Sequence, residues 1–219
     1  MYKIGITIMK KIALLGFCSL LFSCQDKEVL LPMAKETVLA DVKDHSPVYF
    51  FFKIQEQDTI VDVNRKNTIS STNWLFNIDK RLPLRKVILE IKKLQNKKEG
   101  SMHKSESSEN YFTYTDTVKK TLAFLPFTKV KYKLEKPDVF VTHFYLDRND
   151  LVHFRDQVFS KNELGDFINN LSVDNKSKIF FSFDKGMSFG KYIEYEFFLK
   201  QMVITKKGIV INNNLEYIY

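Results

Sequence analysis

Few residues in this 219-residue chain have the type and spacing for chemistry. The four histidines are His45, His103, His143 and His153. None falls in an HExxH pattern or any other metal-ligand spacing. His143 and His153 lie on partner strands of one expected hairpin. With a turn at Asp147–Asp150 they point to opposite faces, and a register shift of one would bring them together. Hydrolytic carboxylate pairs oppose each other across a cleft at about 5–10 Å. Glu194 with Glu196, and Asp147 with Asp150, are sequence neighbours and read as solvated acids. No GxSxG, P-loop or GxGxxG pattern occurs, and seven glycines leave little for a phosphate cradle. Trp74 could stack on a sugar, although a single tryptophan is more often core. The expectation is a chain that is not an enzyme and needs no cofactor or metal. One cationic group stands out: Arg85, Lys86, Lys92 and Lys93 lie off the apolar stripe of a helix. They are the candidate contacts for an acidic partner or anionic lipid heads, and otherwise a solvated face.

The cysteines carry the clearest signal. Lys3, Lys10 and Lys11 form a positive start, and Ile12 to Phe22 a short apolar stretch, as in an export signal. The segment ends in Leu21-Phe22-Ser23-Cys24, which resembles the lipobox of bacterial lipoproteins. The resemblance implies that residues 1–23 are a signal peptide, cleaved before a Cys24 that is diacylglycerylated on its thiol and acylated on its new amine. Several acyl chains anchor a protein stably, at about 0.8 kcal/mol per buried methylene. Loss of three lysines would lower the formal charge from +8 to +5. Cys18 would leave with the signal, so the mature domain would have neither a disulfide nor a thiolate site. Gln25-Asp26-Lys27-Glu28 resembles, weakly, an acidic sorting signal toward the outer membrane or cell surface. Export separates the chain from nucleic acid.

The elements that would position these residues follow from periodicity. Composition is 44% hydrophobic with twenty Phe and ten Tyr, which excludes a disordered chain and favours strands. Residues 24–46 read as a polar tether. Val48–Ile54 is an aromatic strand, residues 62–67 have turn chemistry, and a second strand over 72–78 carries Trp74. Pro83 opens the clearest helix, with Leu84, Val87, Ile88, Ile91 and Leu94 on one face. Residues 96–110 read as a loop. Strands are expected over 111–117 and 121–134, the latter interrupted at Pro126. Then follow strand 138–146, its hairpin partner 151–159, a capping box at Ser160–Glu163 leading into a short helix, and strand 178–184. Residues 188–203 favour a helix over a strand, and residues 208–218 end in a strand. The fold class is α+β, a mainly antiparallel sheet with two to four packed helices. Residues 47–94 and 137–171 share the order Pro, aromatic strand, turn, strand, helix, which suggests two similar lobes, 47–135 and 136–219.

The last third has a further resemblance. Val139-Phe140-Val141, Asp147-Arg148-Asn149, Leu164-Gly165-Asp166-Phe167, Ile179-Phe180-Phe181-Ser182-Phe183-Asp184 and Phe189–Met202 run in an order that resembles the periplasmic domain of the ExbD/TolR family. The resemblance implies that domain's fold and a habit of binding envelope proteins or peptidoglycan. The family's proton-driven role does not transfer, because the N-terminal apolar segment lacks the family's acidic residue. The expected function is a lipid-anchored module of the cell envelope, at the outer membrane and facing periplasm or surface. It would bind another envelope protein or the cell wall without catalysis. The alternatives are a ligand-binding lipoprotein with an aromatic-lined pocket, or an envelope hydrolase of unrecognised class.

Overall fold

The computed structural model describes residues 28–103, 105–138, 140–172 and 177–219; the expected signal segment 1–23 and Cys24 lie outside them. The first sheet contains β1 (Met33–Ala34), β2 (His45–Gln55), β3 (Asp58–Asn64), β4 (Asn73–Ile78), β5 (Asn110–Asp116) and β6 (Thr121–Pro126), with helix α1 (Leu84–Glu99) between β4 and β5. The second contains β7 (Lys131–Lys133), β8 (His143–Leu146), β9 (Leu151–Phe154), β10 (Gln157–Ser160), β11 (Ser177–Phe183) and β12 (Ile209–Ile218). Helix α2 (Leu164–Asn170) precedes β11 and helix α3 (Phe189–Gln201) follows it. The α+β class holds, with three α-helices and a sheet for each of two lobes among the described residues. The pairing is mixed rather than mainly antiparallel. Helical crossovers α1 and α3 make β4–β5 and β11–β12 parallel, and the longer connections through β3 and through β9, β10 and α2 make β2–β4 and β8–β11 parallel as well. Antiparallel hairpins flank these central strands.

Local chemistry explains most elements. The stripe Leu84, Val87, Ile88, Ile91, Leu94 is fully buried beneath α1, with Lys97 and Lys98 in its last turn, where cations suit the helix dipole. The Ser160–Glu163 capping box forms as expected, and Ser188 caps α3 by accepting from the Lys191 amide at 3.2 Å. Residues 188–203 are therefore helical through Gln201. Several expectations change: the strand expected over 138–146 begins at His143, and the one expected over 151–159 turns at Arg155-Asp156 into the hairpin β9–β10. The turn expected at 62–67 forms only in its second half, where Thr68 N–H donates to Arg65 O at 3.3 Å, because Asp62–Asn64 complete β3; a further hairpin turn, not expected, lies at Glu56-Gln57, both left-handed. That hairpin lacks the Gly or Asn that usually supplies positive φ. The tether expected over 24–46 is docked from Leu30 onward: β1 pairs with β5, and Val42 packs with Leu75, Tyr111 and Phe124. β7, expected in the first lobe, pairs with β12 of the second sheet. The histidine hairpin pairs Tyr145 with His153, one residue off the expected register. Asp147 Oδ1 accepts from both the Asn149 and Leu151 amides, which admits one more residue to the turn.

The two lobes repeat, in a different alignment from the one expected. The partner of α1 is α3, not α2. Phe76–Leu94 and Phe181–Leu199 superpose in sequence with Phe76/Phe181, Asp79/Asp184, Lys80/Lys185, Lys86/Lys191, Ile88/Ile193 and Leu94/Leu199 identical. The hydrogen bonds repeat with them. Asp79 Oδ1 accepts from the Arg81 amide at 3.0 Å, and Asp184 Oδ1 from the Gly186 amide at 2.7 Å. Lys86 bridges Asp58 at the head of β3, and Lys191 bridges Asp150 just ahead of β9, both at 2.6 Å.

The two turns interlock about Pro83 and Ser188, which bridge antiparallel. Leu84 N–H donates to Met187 O and Phe189 N–H to Leu82 O, both at 2.8 Å. Arg85 N–H donates to Lys185 O at 3.1 Å, and Gly190 N–H to Lys80 O at 2.9 Å. Each bond is the other's pseudo-two-fold mate. Around them the core is one cluster drawing on both lobes. α3 packs edge-on against both sheets, Phe189 and Tyr192 on Phe112 of β5, and Tyr192 and Tyr195 on Phe183 of β11.

A shared core predicts a single cooperative unfolding transition. A Cβ on Gly190 would stand 3.0 Å from Lys80 Cβ and 3.2 Å from Lys80 O, whereas Gly100 has room. Gly190→Val is expected to cost about 1–3 kcal/mol, with Gly100→Ala near neutral. Urea denaturation read by tryptophan fluorescence and far-UV circular dichroism checks both, and two resolved transitions would contradict the shared core.

Candidate binding cleft between the lobes

The repeat shows where the second lobe departs from the first. On α3, Tyr192 takes the place of Val87 and Glu196 that of Ile91 in the buried stripe. On β12, Glu216 pairs with Phe181 as Phe112 pairs with Phe76, so a carboxylate stands where β5 places a phenyl ring. Phe112 lies flat on Phe127 at 3.7 Å. Three positions that are apolar in one lobe are thus polar in the other.

Glu196 and Glu216 line a cleft of about 340 Å³ between the lobes, with Tyr192 buried behind Glu216. Its first-lobe wall is the end of β6 and the segment after it, Pro126 to Val130, with Glu109. Its second-lobe wall is Phe181, Phe183, the C-terminal half of α3 (Glu196, Leu199, Lys200) and Asn212–Asn214 with Glu216. The opening exists because β11 and β12 shift register between Ile179 and Phe181, which lets Asn212–Asn214 bulge away.

Glu216 is 5% exposed, and its Oε2 accepts from Tyr192 Oη at 2.8 Å. Tyr192 Oη lies 3.4 Å from Tyr132 Oη, which β7 carries in from the other side. Among the described residues no hydrogen-bond partner holds the Glu196 carboxylate or the second oxygen of Glu216. Burial raises the Glu196 pKa to about 7, with Lys200 pulling weakly the other way. Glu216 is raised well above the carboxylate range by burial and by the like charge of Glu196, against the Tyr192 hydrogen bond. Burial also holds Tyr132 and Tyr192 in their neutral, donating forms. The pair can retain a proton near neutrality, and a cationic group brought beside it would favour the ionised form and release that proton to solvent.

The residues singled out from sequence fall elsewhere. Cys24 lies outside the described residues. Arg85 Nη1 donates to Leu134 O at 3.3 Å, and Lys92 Nζ to Tyr132 O at 2.8 Å, so both fasten α1 to the β7 segment. Lys86 is engaged with Asp58 and Thr59 O, and Lys93 with Glu90. Trp74 is buried, donates Nε1–H to Ile69 O at 2.8 Å, and lies under the Lys98 ammonium at 5.0 Å. His143 meets Tyr219 Oη at 3.3 Å, and His153 meets Asp147 at 3.2 Å. Glu194 is exposed and pairs with Lys191; its neighbour Glu196 turns inward. No group of three or more His, Cys, Asp or Glu side chains is placed to hold a metal among the described residues. Sequence reading missed Tyr132, Tyr192 and Glu216. The signal that finds Tyr192 is the aligned Asp-Lys turns, which reveal a polar residue at a position of the apolar stripe; Tyr132 and Glu216 lie outside the aligned segments, and only the strand pairing brings them to the same place.

No protein-family model, no curated protein and no solved structure matches the chain.

A buried acid that ionises above its unfolded-state value binds more protons folded than unfolded in the interval between the two. Stability therefore falls as pH rises from about 4.5 to 7. Glu196→Gln is expected to flatten that slope and raise stability at pH 8 by about 1–3 kcal/mol, reduced by the partial exposure of the site. Urea midpoints at pH 5 and pH 8 check this, and an unchanged slope would contradict the assigned burial.

Proposed function

We propose that this chain is a lipid-anchored protein of the bacterial cell envelope, attached through Cys24 at the outer membrane, that acts by binding rather than catalysis. Its partner is another envelope protein, which it engages through the cleft between the lobes. The observation that carries this reading is the set of three polar replacements, Tyr192, Glu196 and Glu216, at positions that the sister lobe keeps apolar. A buried carboxylate such as Glu216, with a half-buried one beside it at Glu196, costs desolvation and is not needed for packing, so their presence beside an open cleft favours a binding role. The lipobox supports the anchor, and the resemblance of the second lobe to the ExbD/TolR domain is compatible with an envelope partner. Arg85, Lys86 and Lys92 support the fold from within, so the cleft is a better contact surface than the basic row of α1. A second reading, a carrier of a small ligand, is favoured by one feature: the cleft volume and its Phe127, Phe181 and Phe183 lining match ordinary small-molecule sites.

Photo-crosslinkers at exposed Lys129 and Asn213 on the cleft rim, with one at Lys53 on β2 as a distant control, test the reading in cells. The expected result is one envelope protein captured from the rim positions, lost at Lys53 and lost when Cys24→Ser releases the chain from the membrane. Recovery of peptidoglycan fragments would assign the cell wall instead. A small molecule co-purifying with the chain, with no crosslinked partner, would favour the carrier reading. A Cys24→Ser chain that stays membrane-bound would remove the anchor.

A further inference from the structure

The cleft joins an apolar passage to an acidic floor. Phe127, Val130 and Leu199 line its sides, and Glu196 and Glu216 close it. One oxygen of Glu216 is held by Tyr192, while the other has no hydrogen-bond partner among the described residues. The side chain is otherwise buried, so the free oxygen is open only toward the cleft. A buried and a half-buried carboxylate sharing one site repel, and the arrangement gains most from a group that is cationic and donates several hydrogen bonds. A guanidinium presents its donors in one plane, whereas an ammonium can turn its three donors toward both carboxylates while its methylene chain lies along aliphatic and aromatic sides.

We infer that the cleft, on the binding reading above, receives a lysine-type side chain of the partner, its methylene stem along Phe127, Val130 and Leu199 and its ammonium between Glu196 and Glu216. Tyr192 orients the Glu216 carboxylate from below, with Tyr132 behind it. The charged groups facing the pair from neighbouring elements are Lys200 on α3 and, on the first-lobe wall, Lys129 and Glu109. Lys129 and Lys200 are exposed at the rim, where water and salt screen them within about 8 Å. The carboxylates at the floor are not screened in this way. Because the empty pair retains a proton near neutrality, entry of an ammonium displaces it, and binding releases a proton.

The test uses the full-length mature chain in detergent, with Nα-acetyl-lysine amide as probe and Nα-acetyl-norleucine amide as the uncharged match of its stem. Titration calorimetry in two buffers of different ionisation heat reads affinity and proton release together. The lysine probe is expected to bind at least about tenfold more tightly than the norleucine probe, with net proton release at pH 7. Glu216→Gln and Glu196→Gln preserve shape and are each expected to lower lysine affinity about tenfold, with folding verified by circular dichroism. Equal affinity for the two probes would overturn the inference, as would preference for Nα-acetyl-glutamate amide, insensitivity to both Gln variants, or binding of neither probe. The outcome separates from the binding reading itself. An envelope protein crosslinked at Asn213 while the lysine probe is ignored leaves that reading standing and removes only the ammonium.

Discussion

The fold depends on two interlocked turns. In each lobe a central strand ends in Asp-Lys, the aspartate accepts from the amide two residues on, and the chain swings into a helix. The turns exchange backbone hydrogen bonds across Pro83 and Ser188. Backbone donors at a helix start must find acceptors somewhere. Here each lobe supplies the other's, so neither helix start is satisfied alone. Gly190 permits the approach because a side chain there would meet Lys80. The aspartates are fixed as anions in compensation. Burial opposes ionisation of Asp184, yet Arg148 and the Gly186 amide outweigh it and hold the carboxyl below its ordinary range. Asp79 is held low in the same way by Arg81.

From this joint the shared core follows. α3 lies where it can press aromatic rings on both sheets, and β7 crosses to the second sheet carrying Tyr132 toward α3. The basic residues of α1 have structural duties in the same scheme. Arg85 and Lys92 tie the helix to the crossing strand, and Lys86 ties it to the first hairpin. A row of cations off an apolar stripe looks solvent-facing in sequence. It becomes a set of struts once neighbouring backbone carbonyls are within reach.

Periodicity made the strongest elements legible. The stripe of α1 and the capping box at Ser160–Glu163 carry their own signals, and each formed where expected. Residues 188–203 resolved to helix, because Ser188 offers a cap and Phe189, Tyr192 and Ile193 share a buried face. What escaped were features set by tertiary context. Glu56-Gln57 turns without the usual residues because the strand pairing around it imposes left-handed backbone. Residues 30–44 read as polar chain, yet they are held by backbone pairing to β5 and by a small apolar patch. The histidine register slipped because a carboxylate gathered two turn amides instead of one. The cleft was invisible for a related reason. Glu196 beside Glu194 reads as surface, and only the alignment of α3 with α1 shows it pointing inward.

The pseudo-two-fold relation has a consequence for what such a protein can build. In a dimer of identical lobes every substitution appears twice, so a buried carboxylate pair on one side would be mirrored on the other. The desolvation cost would then double at a joint both halves need. Joining the halves in one chain removes that constraint. One lobe keeps Val87, Ile91 and Phe112 as ballast for the common core, and the other is free to spend the matching positions on Tyr192, Glu196 and Glu216. Covalent linkage here is what allows asymmetry: half of the molecule supplies rigidity so that the other half can afford a polar interior.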